Sequence, residues 1–329
     1  MHNHSPNQEI LDSIRHCEVV AYSGEKYSIQ PRDPVAIEEP LEIRVQGRAL
    51  VVTMRTPGHD PELAAGYLWS EGIIQSPHDI LEVAHCQRGS GLDNNILNVF
   101  LRQNIALEDH QFHRFSYAAS GCGLCGKSTI ESIHTKFPAV QSEVRLSVRV
   151  MNGLLDTVKK CQPLFEKTGG LHAAALFTFK GELVEIFEDV GRHNAVDKVI
   201  GSRVRKGHSK LEDHLLFVTS RASFEIVQKA LSAQIPAIAC ASAPSSLAVE
   251  FAKANQQTLI GFMRSGRFNV YSRHDRLVTC QRRGRYFLFH ADVQAHHSSE
   301  EQARAHMSAV QANHCRLDTS LRWEMLQGS

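Results

Sequence analysis

The stretch HLLFVTSRASFEIVQKALSAQIPAIACASAPSSLAVEFAKANQQTLIGFMR, residues 214–264, decides the fold. Three short apolar runs in it are bounded by turn residues, as buried strands are, and two amphipathic runs separate them. The strand-like runs are HLLFVTS, PAIACAS and TLIGFMR, and the helix-like runs are SFEIVQKALSAQ and SSLAVEFAKANQ. This alternation is typical of an α/β fold in which helices cover a partly parallel sheet.

In such folds ligands usually bind in the loops that follow the strands. We therefore expect ligand contacts in TSRAS (219–223), ASAPSS (241–246) and RSGR (264–267). Backbone N–H groups at the helix opened by Ser220, Arg221 and Ser223 are able to hold a phosphate, although simple capping by Ser223 explains the same residues equally well.

The rest of the chain predicts four regions. LEIRVQG and RALVVTMR read as two antiparallel strands meeting at Gly47, and HDPELAAGYLWSEGII reads as a helix with Asp60 as its N-cap. VMNGLLDTVKKCQPLFEKTG, residues 150–169, reads as one helix ended by glycine. We predict an N-terminal arm (1–30), a β-rich part (31–118), an α/β core (119–272) and a polar C-terminal appendage (273–329).

Composition excludes several classes of protein. The 329 residues carry a net charge of +1, which gives no global attraction to nucleic acid or to an anionic membrane. No apolar run is long enough to span a bilayer, and the first residues lack the apolar core of a secretory signal. We therefore predict a cytoplasmic protein. Eight cysteines are present, and most, like Cys240, are expected to be small buried hydrophobic residues.

One motif does not fit the interpretation of cysteines as buried hydrophobic residues. In SGCGLCGKS, residues 120–128, Cys122 and Cys125 stand among three glycines. Structural zinc needs about four ligands and usually two such pairs, whereas this chain has only one, so we predict no resident metal. A zinc deaminase would need proline directly before the first cysteine, with a His-x-Glu motif upstream. This chain has Gly121 in place of the proline, and its upstream His-x-Glu, His16-Cys17-Glu18, lies far from Cys122, so we expect no deaminase chemistry. Two readings stay open on residue types alone: a redox dithiol, and a thiolate that carries sulfur as a persulfide.

Seven stretches together resemble the FdhD family, the formate dehydrogenase accessory sulfurtransferases. They are RTPGHDPELAAGYLWSEGII, SGCGLCGKSTI, GGLHAAALF, EDVGRHNAVDKVIG, SRASFEIVQKA, APSSLAVE and GFMRSGRFNVYS. The resemblance runs from about residue 18 to residue 272, and residues 273–329 inherit no role from it.

The resemblance implies a function and a fold. Family members take persulfide sulfur from a cysteine desulfurase and pass it to the bis-molybdopterin guanine dinucleotide cofactor of molybdenum or tungsten. The cofactor is cargo, and it is sulfurated before it enters formate dehydrogenase. The resemblance also implies a homodimer and a cytidine-deaminase-like core: a mixed sheet with helices on both faces, beside a smaller β-rich N-terminal part.

The resemblance carries over to particular residues. Cys122 would be the persulfide carrier and Cys125 its partner. The cofactor-binding segment would be Phe262, Met263, Arg264, Ser265, Gly266 and Arg267. The two arginines suit this role, because guanidinium groups bind pyrophosphate through paired hydrogen bonds.

Other residues and functions stay open. Asp189, Arg192 and His193 are as well explained by a polar network that fixes a turn as by contact with the cofactor, and His172 reads as structural. The alternative functions are a non-catalytic chaperone for the cofactor and formate dehydrogenase, and a thiol redox regulator.

Overall fold

The computed structural model describes residues 13–86, 93–102, 137–282 and 285–288, and these belong to one compact unit that ends at Leu288. The described strands are β1 (Ile14–Ser23), β2 (Lys26–Ala36), β3 (Glu39–Val45), β4 (Arg48–Arg55), β5 (Ile80–His85), β6 (Ile96–Leu101), β7 (Leu146–Ser147), β8 (His172–Thr178), β9 (Leu183–Asp189), β10 (His214–Val218), β11 (Ala237–Cys240), β12 (Thr258–Arg264), β13 (Arg267–Ser272), β14 (Leu277–Arg282) and β15 (Arg285–Leu288). The described helices are α1 (Asp60–Ser70), α2 (Val148–Lys160), α3 (Pro163–Thr168), α4 (Arg192–Arg205), α5 (Phe224–Ser232) and α6 (Ser246–Ala254).

The centre of the fold is a six-stranded mixed sheet in the order β13-β12-β11-β10-β8-β9. Strands β10, β11 and β12 run parallel, while β8, β9 and β13 are antiparallel to their neighbours. The parallel strands are buried on both faces, which explains why their sequences are continuously apolar. This part of the sequence prediction is confirmed.

Helices cover both faces of the sheet, as predicted. Alternate side chains of β8 and β10, such as Leu176 and Leu216, pack with α1, α4, α5 and α6. The other side chains, such as Phe177 and Phe217, pack against α2. The sequence period of two along each strand therefore supplies two separate apolar cores, one on each face.

A second, four-stranded sheet in the order β4-β3-β6-β5 lies in the N-terminal part. Its first two strands form the predicted antiparallel hairpin, which turns at Gln46 and Gly47. Its inner residues, including Leu41 and Leu97, join the same core as α1. Two smaller sheets complete the described part: the hairpin β1-β2 and the set β15-β14-β7.

Two local predictions were wrong. The single helix expected at 150–169 is divided into α2 and α3, because Pro163 cannot continue a helix and also disfavours helical backbone at Gln162. The predicted end is confirmed, since Gly169 adopts φ +67°. Helix α1 begins at Asp60 rather than after it, with His59 at the N-cap position and no side-chain cap. The Asp60 carboxylate instead accepts hydrogen bonds from Arg55 at 2.9 and 3.0 Å.

The predicted division into four regions and the cytidine-deaminase-like character of the core stay predictions. The described part of the predicted arm, residues 13–30, holds β1 and the beginning of β2, and strands β14 and β15 follow residue 272. None of the described helices is both long and apolar enough to cross a membrane.

Candidate functional site

One edge of the six-stranded sheet collects most of the predicted site residues, and we call it the site edge: residues 172, 189–193, 219–225, 241–246 and 262–267. Parallel strands end at the same edge, so the segments after β10, β11 and β12 meet there. Because β8 is antiparallel to β10, its first residue, His172, lies at this edge too, paired with Asp189 of β9.

Two of the three predicted ligand loops are confirmed as strand-to-helix loops, and they pair with each other. The Ala222 N–H donates to the Ala243 carbonyl at 3.3 Å, and the Ser245 N–H donates to the Ala222 carbonyl at 3.0 Å. The third segment, 264–267, is instead the turn of the β12-β13 hairpin. Gly266, with φ +74°, makes this tight reversal possible, which the sequence reading did not anticipate.

Cys240 lies beneath these loops at the end of β11. Its Sγ is hydrogen-bonded to the Ser242 carbonyl at 3.0 Å, and the side chain is fully buried. Burial raises the pKa of this thiol to about 11, so it is protonated at neutral pH. The prediction that Cys240 is a buried structural residue is confirmed.

The hairpin that carries the predicted cofactor-binding segment is held tightly to the loop 241–246. Phe262 has φ +52°, which is unusual for a non-glycine residue, and its N–H donates to the Ser242 carbonyl at 2.9 Å. Gly261 beside it has no room for a side chain, because a Cβ there would lie 2.8 Å from Cδ of Pro244. The close approach of these two segments imposes the strained backbone at Phe262.

The side chains of this segment divide into two groups. Met263 is fully buried, so its side chain belongs to the core. Phe262 is 38% exposed, and Arg264 to Arg267 are all exposed. Nη1 of Arg264 donates to the carbonyls of Ala241 and Met263, which anchors one edge of the guanidinium and leaves the remainder for a ligand.

Asp189 is the centre of a buried polar network at the other end of the site edge. Its Oδ2 lies 2.7 Å from Nζ of Lys198, and its Oδ1 accepts from the Gly191 N–H at 2.8 Å and from Asn194 Nδ2 at 3.0 Å. The Thr56 N–H also donates to it, at 3.3 Å. Asp189 therefore joins the start of α4 to the segment after β4. These contacts agree with the interpretation of Asp189 as part of a polar network that fixes a turn.

The contribution of Thr56 was missed by the sequence reading, since nothing in local spacing links residues 133 positions apart. Asn194 and Lys198 stand in the quoted EDVGRHNAVDKVIG stretch but were not singled out. Their polarity gives a weak sequence signal, because α4 also buries the polar residues Asp197 and Ser202.

His193 connects the starts of two helices. Its Nε2 lies 3.3 Å from Oγ of Ser223 and 3.9 Å from Oε2 of Glu225. Burial, followed by the positive charges of Lys229 and Arg192, lowers the pKa of His193 to about 4, so its imidazole is neutral at pH 7. Ser223 occupies the N-cap position of α5 but makes no side-chain cap, so the capping role considered for it is wrong.

The predicted sulfur-carrying residues Cys122 and Cys125 lie outside the described residues, as does nearly all of the helix expected after them. In the described part the free cysteines are Cys17, Cys86, Cys161 and Cys240. The same part contains no group of three or more His, Cys, Asp or Glu side chains arranged to hold a metal ion. The roles of the cysteine pair and the absence of a resident metal stay predictions.

Comparison with known proteins identifies the family. A family model described as the FdhD/NarQ family matches residues 36–278. The sulfur carrier protein FdhD of Streptomyces coelicolor is 44% identical over 253 residues, which are 75% of this chain and 89% of that protein. The protein of the same name from Mycobacterium tuberculosis is 41% identical over 271 residues, or 80% of this chain and 98% of that one.

A solved structure supports the same family assignment. The crystal structure of a candidate formate dehydrogenase accessory protein from Desulfotalea psychrophila matches with a TM-score of 0.64 at 25% sequence identity, covering 80% of this chain and 99% of that chain. The predicted resemblance is therefore confirmed, and this chain belongs to the FdhD/NarQ family.

Proposed function

We propose that this protein is a sulfur carrier that receives sulfur as a persulfide on Cys122 and delivers it to a molybdopterin guanine dinucleotide cofactor destined for formate dehydrogenase. The observation that carries the proposal is the glycine-rich Cys-x-x-Cys loop inside the matched range 36–278 of a family whose relatives are named sulfur carrier proteins. The solved relative's description as a formate dehydrogenase accessory protein supports the client.

The proposed chemistry is thiol–disulfide exchange extended to a sulfane sulfur. The Cys122 thiolate attacks the outer sulfur of a persulfide on a cysteine desulfurase, a new S–S bond forms, and the donor cysteine leaves as a thiolate. The Cys125 thiolate then attacks Sγ of Cys122, which releases the outer sulfur as hydrosulfide to the cofactor and leaves a disulfide. A dithiol reductant returns the pair to the starting state.

The cofactor is substrate in this proposal, and the hairpin tip at 262–267 is its proposed binding segment. The exposed Arg264 and Arg267 supply paired N–H donors of the kind that bind pyrophosphate. The exposed ring of Phe262 beside them offers a flat surface against which a purine is able to stack. Action as a homodimer in the cytoplasm, with a desulfurase as donor, completes the proposal.

Cys122→Ala tests the proposal, and Cys161→Ala is the matched control because Cys161 is a free, half-buried cysteine of the described part. After incubation with desulfurase and cysteine, the unmodified protein and the control should gain about 32 Da, one sulfur atom, while Cys122→Ala should not. Formate dehydrogenase matured with Cys122→Ala should be inactive, although this variant should still bind GDP.

Two outcomes contradict the proposal and point to the alternatives. Active formate dehydrogenase with Cys122→Ala indicates a chaperone that only binds cofactor and client. An intramolecular disulfide without the added sulfur indicates a redox regulator.

A further inference from the structure

Two arginines and a histidine come together at the end of the site edge away from the hairpin tip, and we call Arg192, Arg221 and His172 the arginine cluster. His172 begins β8 and pairs with Asp189, three residues before Arg192. The Thr219 N–H donates to the carbonyl of Ala173 at 3.0 Å, which brings the segment leading to Arg221 beside the start of β8. The 3.3 Å contact between Nε2 of His193 and Oγ of Ser223 joins the start of α4, which carries Arg192, to the start of α5.

Among the residues that the structure describes, no carboxylate forms an ion pair with Arg192 or Arg221, although Glu225 lies near enough to Arg192 for its charge to help lower the pKa of that carboxyl. Nε of Arg192 is buried and has no hydrogen-bond partner in the described part of the chain. Arg221 is exposed and makes no ion pair with any residue that the structure describes. The nearest acids have other partners: Asp189 contacts Lys198 at 2.7 Å, and Glu225 contacts Ser223 and His193.

Burial lowers the pKa of His172, and the positive charges of Arg192 and Arg221 lower it further, so His172 lies within the electrostatic influence of both guanidinium groups. At neutral pH this ring is uncharged and offers one N–H donor. A buried guanidinium nitrogen without an acceptor costs free energy, and the rest of the Arg192 guanidinium keeps its charge and its N–H donors for an anion.

The backbone adds to the same preference for an anion. Helix α4 begins at Arg192, with Gly191 as its N-cap and no side-chain cap, so its first N–H groups and the positive end of its dipole lie at the site edge beside the arginine cluster. At the start of α5 the N–H of Glu225 is already bonded to the carboxylate of the same residue, so α4 supplies the backbone contribution.

We propose that the arginine cluster binds a phosphate group of a phosphorylated ligand, as a second anion site separate from the hairpin tip. The strand order β12-β11-β10-β8 puts three strand spacings, roughly 14 Å, between the hairpin strand and β8. Two such sites would bind either two phosphorylated arms of one ligand or two ligands. The shared chemistry is phosphate, and its source is either a nucleotide arm of the proposed cargo or free phosphate.

Titration calorimetry of the full chain with inorganic pyrophosphate tests this inference at low ionic strength, where charge screening is weak. Arg192→Gln and Arg221→Gln should each weaken binding at the cluster about tenfold, the loss expected for one charge-assisted hydrogen bond. Arg192→Lys should give an intermediate loss, because it retains the charge without the paired donors. Arg149→Gln is the control, since Arg149 is also exposed but lies at the start of α2, away from the site edge.

The unmodified protein should bind two pyrophosphates per chain. The double variant Arg192→Gln/Arg221→Gln should still bind one pyrophosphate, at the hairpin tip. The double variant Arg264→Gln/Arg267→Gln should still bind one at the arginine cluster. A second titration with GDP identifies the source: loss of one GDP in the Arg192/Arg221 double variant supports a nucleotide arm, and loss of pyrophosphate alone supports free phosphate.

Unchanged pyrophosphate binding in folded Arg221→Gln and in the double variant would overturn the inference. Because Arg221 is exposed, its replacement should leave the fold intact, and circular dichroism checks this. The binding assay needs neither Cys122 nor a sulfur donor. Failure of the phosphate site and failure of the sulfur-carrier proposal are therefore separate results.

Discussion

His193 is a single residue whose charge state is set by everything that packs around it. Burial, Lys229, Arg192 and His172 all disfavour its protonated form, and only Glu225 favours it. Burial raises the pKa of the Glu225 carboxyl, but hydrogen bonds from Ser223 and from its own backbone N–H, together with the charges of His193 and Arg192, lower it overall, so the carboxylate stays ionised. The result is a neutral imidazole that joins α4 to α5.

This arrangement predicts a loss of stability in acid. The pKa of His193 falls from 6.5 in the unfolded chain to about 4 in the folded protein, so the unfolded chain binds more protons between these values. The free energy of unfolding should therefore decrease as pH falls from 6.5 towards 4, by up to about 3 kcal/mol from this residue. Urea unfolding at several pH values should show a shallower decrease for His193→Gln.

His172 and His214 also have lowered pKa values, so a residual slope should remain in the variant. Equal slopes for the variant and the unmodified protein, or a His193 ring that titrates near pH 6.5 by NMR, would contradict this account.

At the scale of elements, the crossing of α1 and α4 depends on two glycines. A Cβ on Gly66 would lie 1.9 Å from the carbonyl oxygen of Asp197, and a Cβ on Gly201 would lie 1.8 Å from that of Glu62. These neighbours are backbone atoms and cannot move aside separately. The two helices therefore pack with their backbones in contact, and α4 in turn carries Arg192 and His193 to the site edge.

Gly201→Ala should consequently destabilise the protein by about 2–4 kcal/mol, through overpacking at a contact between two backbones. Gly153→Ala in α2 is the control, because Gly153 has nothing within 4 Å of its absent Cβ. Alanine has the higher helix propensity, so the control should gain about 0.5–1 kcal/mol. Urea unfolding measures both, and a stabilised Gly201→Ala would disprove the close crossing.

The same scale shows what the sequence was able to predict. Alternating apolar and amphipathic runs at 214–264 predicted the three parallel strands, two helices and the edge at which they end, because both period and burial are local properties. Pro163 also predicts, from the local sequence alone, a break in the helix expected at 150–169, although the single-helix prediction did not include it. The hairpin turn at 264–267 could not be predicted from the local sequence, because TLIGFMR gives no sign that the next strand is antiparallel.

The residues of the candidate site also divide into those that the sequence predicts and those that only the tertiary fold reveals. Arg264, Arg267, Arg192 and His193 were found through motifs, but their neighbours come from distant segments. Thr56 reaches Asp189, and Ser223 reaches His193, only through the tertiary fold. A polar residue in a motif is thus visible in sequence, whereas its partner is fixed by strand order and helix packing.

At the scale of the whole molecule, Arg276 ties distant segments to one another beyond the predicted end of the core. Its side chain is 1% exposed. Its guanidinium donates to the carbonyls of Ser142 at 2.6 Å, Gln256 at 2.9 Å and Pro236 at 3.2 Å. Burial, with the nearby charge of Arg273, lowers its pKa to about 10, so it remains charged at neutral pH and its donors are retained.

Arg276→Met should therefore leave three carbonyls without this donor and cost about 2–4 kcal/mol of unfolding free energy. Arg273→Met is the control: its pairing with Asp275 is partly exposed, and such pairs contribute about 0–1 kcal/mol. A chain ending at residue 272 should lose at least as much stability, relative to one ending at Leu288, as Arg276→Met loses. Thermal unfolding of the four proteins compares them directly. Equal stability of the two shortened chains would show that the core ends at residue 272 and that the contacts of Arg276 contribute nothing to holding it together.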